Sequence, residues 1–368
     1  MTTECARSVP ALTEILSSLR KTTRLVAFVT DMFGIDSFDA ASRAGVARRC
    51  LFMPVNLHTL SLFLYLPALA ASSIPGGFKD LAPAEPVRLP GCVPIPGPEI
   101  IPQLQDRSGP GFWGIVHLAE RCRVGVDAIL VNTFDAVEPE VAKLLRQPEP
   151  GRPPVYPIGP LVMLTTSDNN SNNGTARNRI CLEWLNRQSP SGQRFLWVVR
   201  SPSDDSTPSE YYFDAESRKD PFRYLPEGFL DRTKDTGLVV QSWAPQTEVL
   251  AHSATGGFLT PCGWNSALES LVHGVPMLAW PLFAEQGQNA MMLAEEGVQA
   301  ALRLPGMKDK ETIAAMVREL MEGEGKGATV RKKVAQLQKA AKESLRDGGA
   351  SMTALDELVL EWAAGTNE

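Results

Sequence analysis

One stretch of this chain gathers side chains that can hold a nucleotide joined to a sugar. It runs through Trp243-Ala-Pro-Gln246, His252, Pro261-Cys-Gly-Trp-Asn-Ser266, Glu269, Gly274-Val-Pro276, Trp280-Pro281 and Glu285-Gln286. Trp243 closes an apolar strand, so its indole falls at the carboxyl edge of a sheet and can stack on a planar base. Gly263-Trp-Asn-Ser266 opens a helix directly after the next strand. The free N–H groups of a helix start, with the side chains of Asn265 and Ser266, form an anion site suited to a diphosphate. Glu269 follows one turn later, and a carboxylate accepts hydrogen bonds from a ribose diol well. Glu285 and Gln286 open a further helix and can fix sugar hydroxyls. Taken singly, each feature has a plain structural reading: a Trp at a strand end is usually core, and Asn-Ser at a helix start is usually a cap. Their order along one sheet edge is what describes a nucleotide-sugar pocket.

Placing these residues takes a regular alternation of strands and helices. Strands are expected over 194–200, 237–243, 256–260, 275–280 and 300–303. Helices are expected over 246–252, 264–273, 285–296, 308–323, 327–346 and 351–364. Short apolar strands repeated in β-α-β order predict a doubly wound parallel sheet. The first half reads differently. Leu12, Ile15, Leu16 and Leu19 follow helical spacing, and 24–30 holds an unbroken apolar run of strand length ending at Asp31-Met-Phe-Gly34. A helix over 38–47, a strand over 128–134 and a helix over 138–145 flank a proline-rich stretch, 74–110. That stretch predicts a long loop of the kind that covers a substrate cleft.

The 368 residues are 43% hydrophobic and 21% charged, ample for two cores. A net charge of −6 offers no basic surface for nucleic acid or anionic lipid. No apolar run approaches the roughly 20 residues that span a bilayer. The first residues lack a signal-peptide pattern, and six scattered cysteines form no CxxC pair. A cytoplasmic protein without disulfides or a metal site is therefore expected. The shift to Pro, Gly, Asn and Ser over 147–176 marks a linker. The expected domains are 1–146 on the acceptor side and 177–350 for the nucleotide sugar, with a terminal helix over 351–368.

Residues 243–286 resemble the donor-binding signature of plant family-1 UDP-glycosyltransferases. The likeness continues through Arg24–Thr30 with Asp31-Met-Phe-Gly34, Pro90-Gly-Cys92, Val131-Asn-Thr-Phe134, Pro154-Val-Tyr-Pro-Ile-Gly-Pro160 and Cys181-Leu-Glu-Trp-Leu185. These segments look most like the hydroquinone and monolignol glucosyltransferase branch. The resemblance implies the α/β GT-B fold, two Rossmann-like domains with the donor in the C-terminal one. It implies inverting transfer from UDP-glucose, the co-substrate, to the hydroxyl of a small phenolic acceptor. It also implies a monomer with no metal or other cofactor. By position, Trp243 would stack on uracil and the Ala244 backbone would bond its edge. Gln246 and Glu269 would hold the ribose, Asn265 and Ser266 the phosphates, and Trp264, Glu285 and Gln286 the sugar. Gln286 resembles the glucose-preferring members. Asp31 matches the carboxylate that orients a catalytic histidine.

Three departures from the family pattern bear on activity. The catalytic histidine belongs to a glycine-rich loop ahead of Arg24 that this sequence does not contain. His252 and His273 are expected to be structural, and neither His58 nor His117 falls in a pattern beside Asp31. Position 261 is Pro where the family has a histidine that bonds the diphosphate. Cys181–Gln188 passes within a few residues to Gln193-Arg-Phe-Leu-Trp197, whereas the family inserts a strand, a phosphate loop and a helix there, about 30 residues. Both domains are thus expected to be incomplete. Two functions compete: a UDP-glucose-dependent O-glucosyltransferase, and a catalytically inactive remnant that binds UDP-sugar weakly or not at all. Gly109-Pro-Gly-Phe-Trp-Gly114 fits the dinucleotide-binding spacing, but it follows a loop and not a strand, so it is read as chance.

Overall fold

The computed structural model describes residues 2–71, 76–82, 85–162, 176–189, 192–201, 220–294, 297–306 and 309–364. The chain packs as two units, Met1–Val162 with Leu259–Glu368, and Met163–Phe258.

The first unit opens with α1 (Thr2–Leu19), β1 (Ala27–Asp31), α2 (Ser37–Arg43), β2 (Arg48–Met53) and α3 (Leu57–Ala71). It continues with α4 (Pro110–Arg121), β3 (Ala128–Val131), α5 (Pro139–Leu145) and β4 (Val155–Pro157). The four strands form one parallel sheet in the order β1-β2-β3-β4, with Val29 opposite Cys50 and Cys50 opposite Ala128. All four residues of β3 are buried, as a strand covered on both faces must be. The dinucleotide-like Gly109–Gly114 stretch is the start of α4, with Gly109 as its cap and no strand before it.

The proline-rich stretch is packed and not a free-standing loop. Phe78, Ile95 and Leu104 are almost wholly buried in one core with Leu62 and Leu66 of α3 and Phe112 of α4. Three short 3-10 turns and the bridge Val87–Ile95 give its described residues shape.

The second unit holds α6 (Ala176–Asn186), β5 (Phe195–Val199), α7 (Phe229–Thr233), β6 (Gly237–Gln241) and α8 (Gln246–Ala251). β5 and β6 pair in parallel around a small core of Cys181, Val240 and Ala244. Back in the first unit come β7 (Phe258–Thr260), α9 (Trp264–His273), β8 (Met277–Ala279), α10 (Gln286–Leu293) and β9 (Ala301–Arg303). α11 (Lys310–Glu322), α12 (Lys326–Ser344) and α13 (Ala350–Ala364) follow. α13 returns to the first sheet, where Ala354 and Leu358 pack with Cys50, Leu130 and Ile158. Ser351 Oγ donates to the Gly159 carbonyl at 2.5 Å.

The C-terminal half forms parallel strands as expected, but not one continuous sheet. Among the described residues it forms a two-stranded sheet, β5-β6, and a three-stranded sheet, β7-β8-β9. Among the described residues, β5 and β7 each have one edge with no strand on it. Trp197 and Val198 of β5 are 45% and 36% exposed, far from the double coverage a parallel strand normally has.

None of the six cysteines is in a disulfide, and burial lifts the thiol of Cys50 to about 11 and those of Cys92, Cys122 and Cys262 to about 12. Among the described residues no helix is long and apolar enough to cross a membrane, and no cluster of His, Cys, Asp or Glu is arranged around a metal position.

His273 closes α9 with its Nε2 buried and without a partner. Burial, helped by the nearby Lys342 charge, pushes its pKa below the ordinary 6.5. The unfolded chain then binds this proton more readily than the folded one, so stability is full above about pH 6.5 and is lost as pH falls toward the folded pKa. Urea melts between about pH 7.5 and 5.5 should therefore show a shallower acid loss in His273→Gln than in the unsubstituted chain. Equal slopes would remove His273 as the cause.

Candidate functional site

Three strand-to-helix turns present the residues singled out by the sequence. After β6, β7 and β8, Ser242, Cys262 and Ala284 take φ values of 66°, 68° and 53°. A side chain in this left-handed region costs on the order of 1 kcal/mol or more, and persists only where the surroundings hold it. Each of these turns redirects the chain from a strand end into a helix start.

In the second unit, the Trp243 indole is 60% exposed, so it is not a core tryptophan. The Trp243 backbone N–H donates to the Gln241 carbonyl at 2.7 Å, while Ala244 beside it is buried against Cys181 and Val240. Ala244 anchors the turn and Trp243 faces outward. Gln246 is the first residue of α8, behind Pro245.

In the first unit, α9 begins at Trp264 behind Gly263, which offers no side-chain cap. Trp264 is 2% exposed and its Nε1 donates to the Asn132 carbonyl at 2.7 Å. The Asn132 Nδ2 donates to Asn265 Oδ1 at 3.3 Å, and its Oδ1 accepts from the Leu161 N–H at 2.7 Å. Buried Asn132, one residue past β3, thus joins the first sheet to the start of α9. Ser266 and Glu269 lie half-buried on the same helix. Asn132 has no role in the sequence reading beyond its place in a resembling segment. The available signal was a polar residue just beyond a wholly apolar strand.

Pro261 supplies no N–H, and the Cys262 N–H is taken by Thr260 Oγ1 at 3.1 Å. At α10, Gln286 is 5% exposed, and its Oε1 accepts from the N–H groups of Leu282 and Phe283, both at 3.0 Å. That oxygen ties the preceding loop. Glu285 is half-buried, with its Oε1 3.4 Å from the Asn289 Nδ2. Trp264, Asn265, Ser266 and Glu269 are therefore brought together on one helix and Glu285 with Gln286 on another, while Trp243, Ala244 and Gln246 belong to the second unit.

Asp31 ends β1, and its Oδ1 accepts from the N–H groups of Phe33 and Gly34, both at 3.0 Å. The rings of His58, His117 and His252 bond elsewhere. His58 Nδ1 lies 2.7 Å from Glu138, and its Nε2 accepts from the Val93 N–H, so the ring proton sits on Nδ1. His252 meets Asn186 and the Ala254 N–H, and His117 pairs with Glu120. Asp31 is thus a turn cap in this structure.

Residues 222–337 match the model of the family described as UDP-glucoronosyl and UDP-glucosyl transferase. The chain is 42% identical to the hydroquinone glucosyltransferase of Rauvolfia serpentina, over 97% of this chain and 80% of that protein. This chain belongs to the plant UDP-glycosyltransferases. Among solved structures, it superimposes with a TM-score of 0.85 on a Polygonum tinctorium UDP-glucosyltransferase capable of glucosylating indoxyl, in complex with 3,4-dichloroaniline. That match is 37% identical over 99% of this chain and 82% of the other. A Phytolacca americana glycosyltransferase complexed with UDP-2-fluoro-glucose and pterostilbene matches with a TM-score of 0.82, at 35% identity over 98% and 81% of the two chains.

As a plant UDP-glycosyltransferase, the chain has the GT-B fold and a UDP-sugar as its family's donor. The Rauvolfia match runs over 389 positions against the 368 residues here, so at least 21 of those positions face no residue of this chain. An internal deficit of that size accords with two short sheets where the sequence pattern predicts one.

Proposed function

We propose that this chain takes UDP-glucose as donor and a small phenolic hydroxyl compound as acceptor. The division into an acceptor-side domain over 1–146 and a donor domain over 177–350 belongs to this reading. The observation that carries it is the α9 start, where a buried indole and Asn132 fix a helix N-terminus that has no side-chain cap of its own. The α9 N–H groups, with Asn265 and Ser266, would receive the diphosphate. Trp243 would stack on the base, with the Ala244 backbone at its edge. Gln246 and Glu269 would hold the ribose, and Trp264, Glu285 and Gln286 the sugar. Hydroquinone as an acceptor is suggested by the Rauvolfia relative's name.

A second reading, donor binding without turnover, is favoured by Asp31. Its Oδ1 caps a turn, and the rings of His58, His117 and His252 are bonded to other groups. Transfer with inversion needs a base on the acceptor hydroxyl, and without one the acceptor is a poor nucleophile.

UDP release from UDP-glucose with hydroquinone or coniferyl alcohol tests the first reading, and release no greater than the buffer blank sinks it for this chain. Calorimetric titration with UDP then separates a donor-binding protein from an inert one. Pro261→His is expected to strengthen UDP binding by about one to two decades, the worth of one hydrogen bond to a charged group. No gain would show that position 261 does not face the diphosphate.

A further inference from the structure

Asn289 is not among the residues the sequence singles out, yet it is wholly buried and joins three elements. Its Nδ2 donates to the Cys262 carbonyl at 2.9 Å and to Glu285 Oε1 at 3.4 Å. Its Oδ1 accepts from the Nδ2 of buried Asn56 at 2.6 Å, and Asn56 Oδ1 accepts from the Thr59 N–H at 2.7 Å. The direction of this chain of bonds is fixed at both ends. A backbone N–H can only donate and a backbone carbonyl can only accept, so neither amide can turn over without losing its bonds.

We propose that Asn56 and Asn289 are positioning residues that orient the Glu285 carboxylate toward the sugar of a bound nucleotide sugar. The proposal rests on the donor-site reading above. Glu285 stands at the start of α10 without a cap bond, directly after left-handed Ala284. Its position on the backbone is held, and the Asn289 amide directs its side chain. Asn289 also bonds the Cys262 carbonyl, two residues before Trp264, so one amide ties the α9 turn to the α10 start.

Inverting one link should mis-set the whole chain. In Asn56→Asp, one carboxylate oxygen keeps the Thr59 N–H and the other faces Asn289 Oδ1, acceptor against acceptor. Turning the Asn289 amide relieves that clash but presents its Oδ1 to the Cys262 carbonyl and the Glu285 carboxylate, and Glu285 is driven off. Asn56→Leu instead removes the lead without inverting it, so Asn289 keeps its bonds to Cys262 and Glu285.

The test is calorimetric titration of the full chain and both variants with UDP and with UDP-glucose, alongside thermal melts. Asn56→Asp is expected to weaken UDP-glucose by about tenfold relative to UDP, and Asn56→Leu by less than about threefold. A purely structural role would lower both ligands together, in step with the melting temperature. An unmoved ratio in Asn56→Asp, or equal falls in both variants, overturns the proposal. Should Asn56→Asp melt below the assay temperature, Asn289→Ser, which removes the donor to Glu285, carries the same ratio test: a tenfold fall supports the proposal and an unmoved ratio overturns it. Absence of UDP binding by the unsubstituted chain overturns the donor-site reading and this proposal with it. UDP binding with an unchanged ratio overturns this proposal alone.

Discussion

Replacing Glu138 by alanine is expected to cost the folded chain about 3–5 kcal/mol, because it strands several buried hydrogen-bond donors at once. The side chain is inaccessible and accepts four bonds. Oε1 accepts from the His58 N–H at 2.9 Å and faces the His58 Nδ1 at 2.7 Å. Oε2 accepts from the Leu57 N–H and the Thr133 hydroxyl, both at 3.0 Å. Leu57 and His58 are the first residues of α3, so a carboxylate from just ahead of α5 caps the positive end of another helix. Alanine leaves two helix N–H groups, a ring N–H and a hydroxyl buried without acceptors, each costing about 1–3 kcal/mol before relaxation. Glu138→Gln keeps the volume but replaces one acceptor oxygen with donors aimed at donors, and should fall between the two. Equilibrium unfolding in urea reads the difference. An alanine variant within about 1 kcal/mol of the unsubstituted chain would mean that water or a rearranged α3 start replaces the carboxylate.

The second large effect is at Trp264. Trp264→Ala removes a buried indole and should cost about 3–5 kcal/mol. Trp264→Phe keeps much of the ring but leaves the Asn132 carbonyl without its 2.7 Å donor, a loss of about 1–3 kcal/mol. Both variants should also weaken UDP, because the indole fixes the turn from which the α9 N–H groups point. Unfolding curves and UDP titrations on the same samples test this. Trp264→Phe with full stability and full UDP affinity would show that the Asn132 bond positions nothing.

Much of the molecule was legible in the order of residues because burial leaves a period. The strands after the linker announce themselves as apolar runs between polar helix starts, and each lies within a few residues of its expected place. β2 was not anticipated, since Arg48-Arg49 at its start looks like a solvated break, although Cys50, Leu51 and Met53 are buried. α3 was noticed only as a long apolar stretch, because ten of its fifteen residues are buried and no polar stripe marks a turn. In the site, residue types foretold which residues crowd the helix starts. They could not foretell that Gln286 would spend its oxygen on the Leu282–Phe283 loop or that Trp264 would face inward. Glu138, Asn132 and Asn289 escaped for a related reason. Each acts on an element distant in sequence, and pairing across that distance leaves no local pattern.

The return of α13 to the first sheet bears on how the chain is made. Leu358 meets Cys50 and Leu130 across a separation of more than two hundred residues. On a ribosome, that face of the β1–β4 sheet stays open through nearly the whole of synthesis. Closing so distant a contact is slow, and an uncovered apolar sheet face is an aggregation hazard while it waits. Yield in a cell should therefore depend on chaperone supply and growth temperature more steeply than the finished fold's stability alone would suggest.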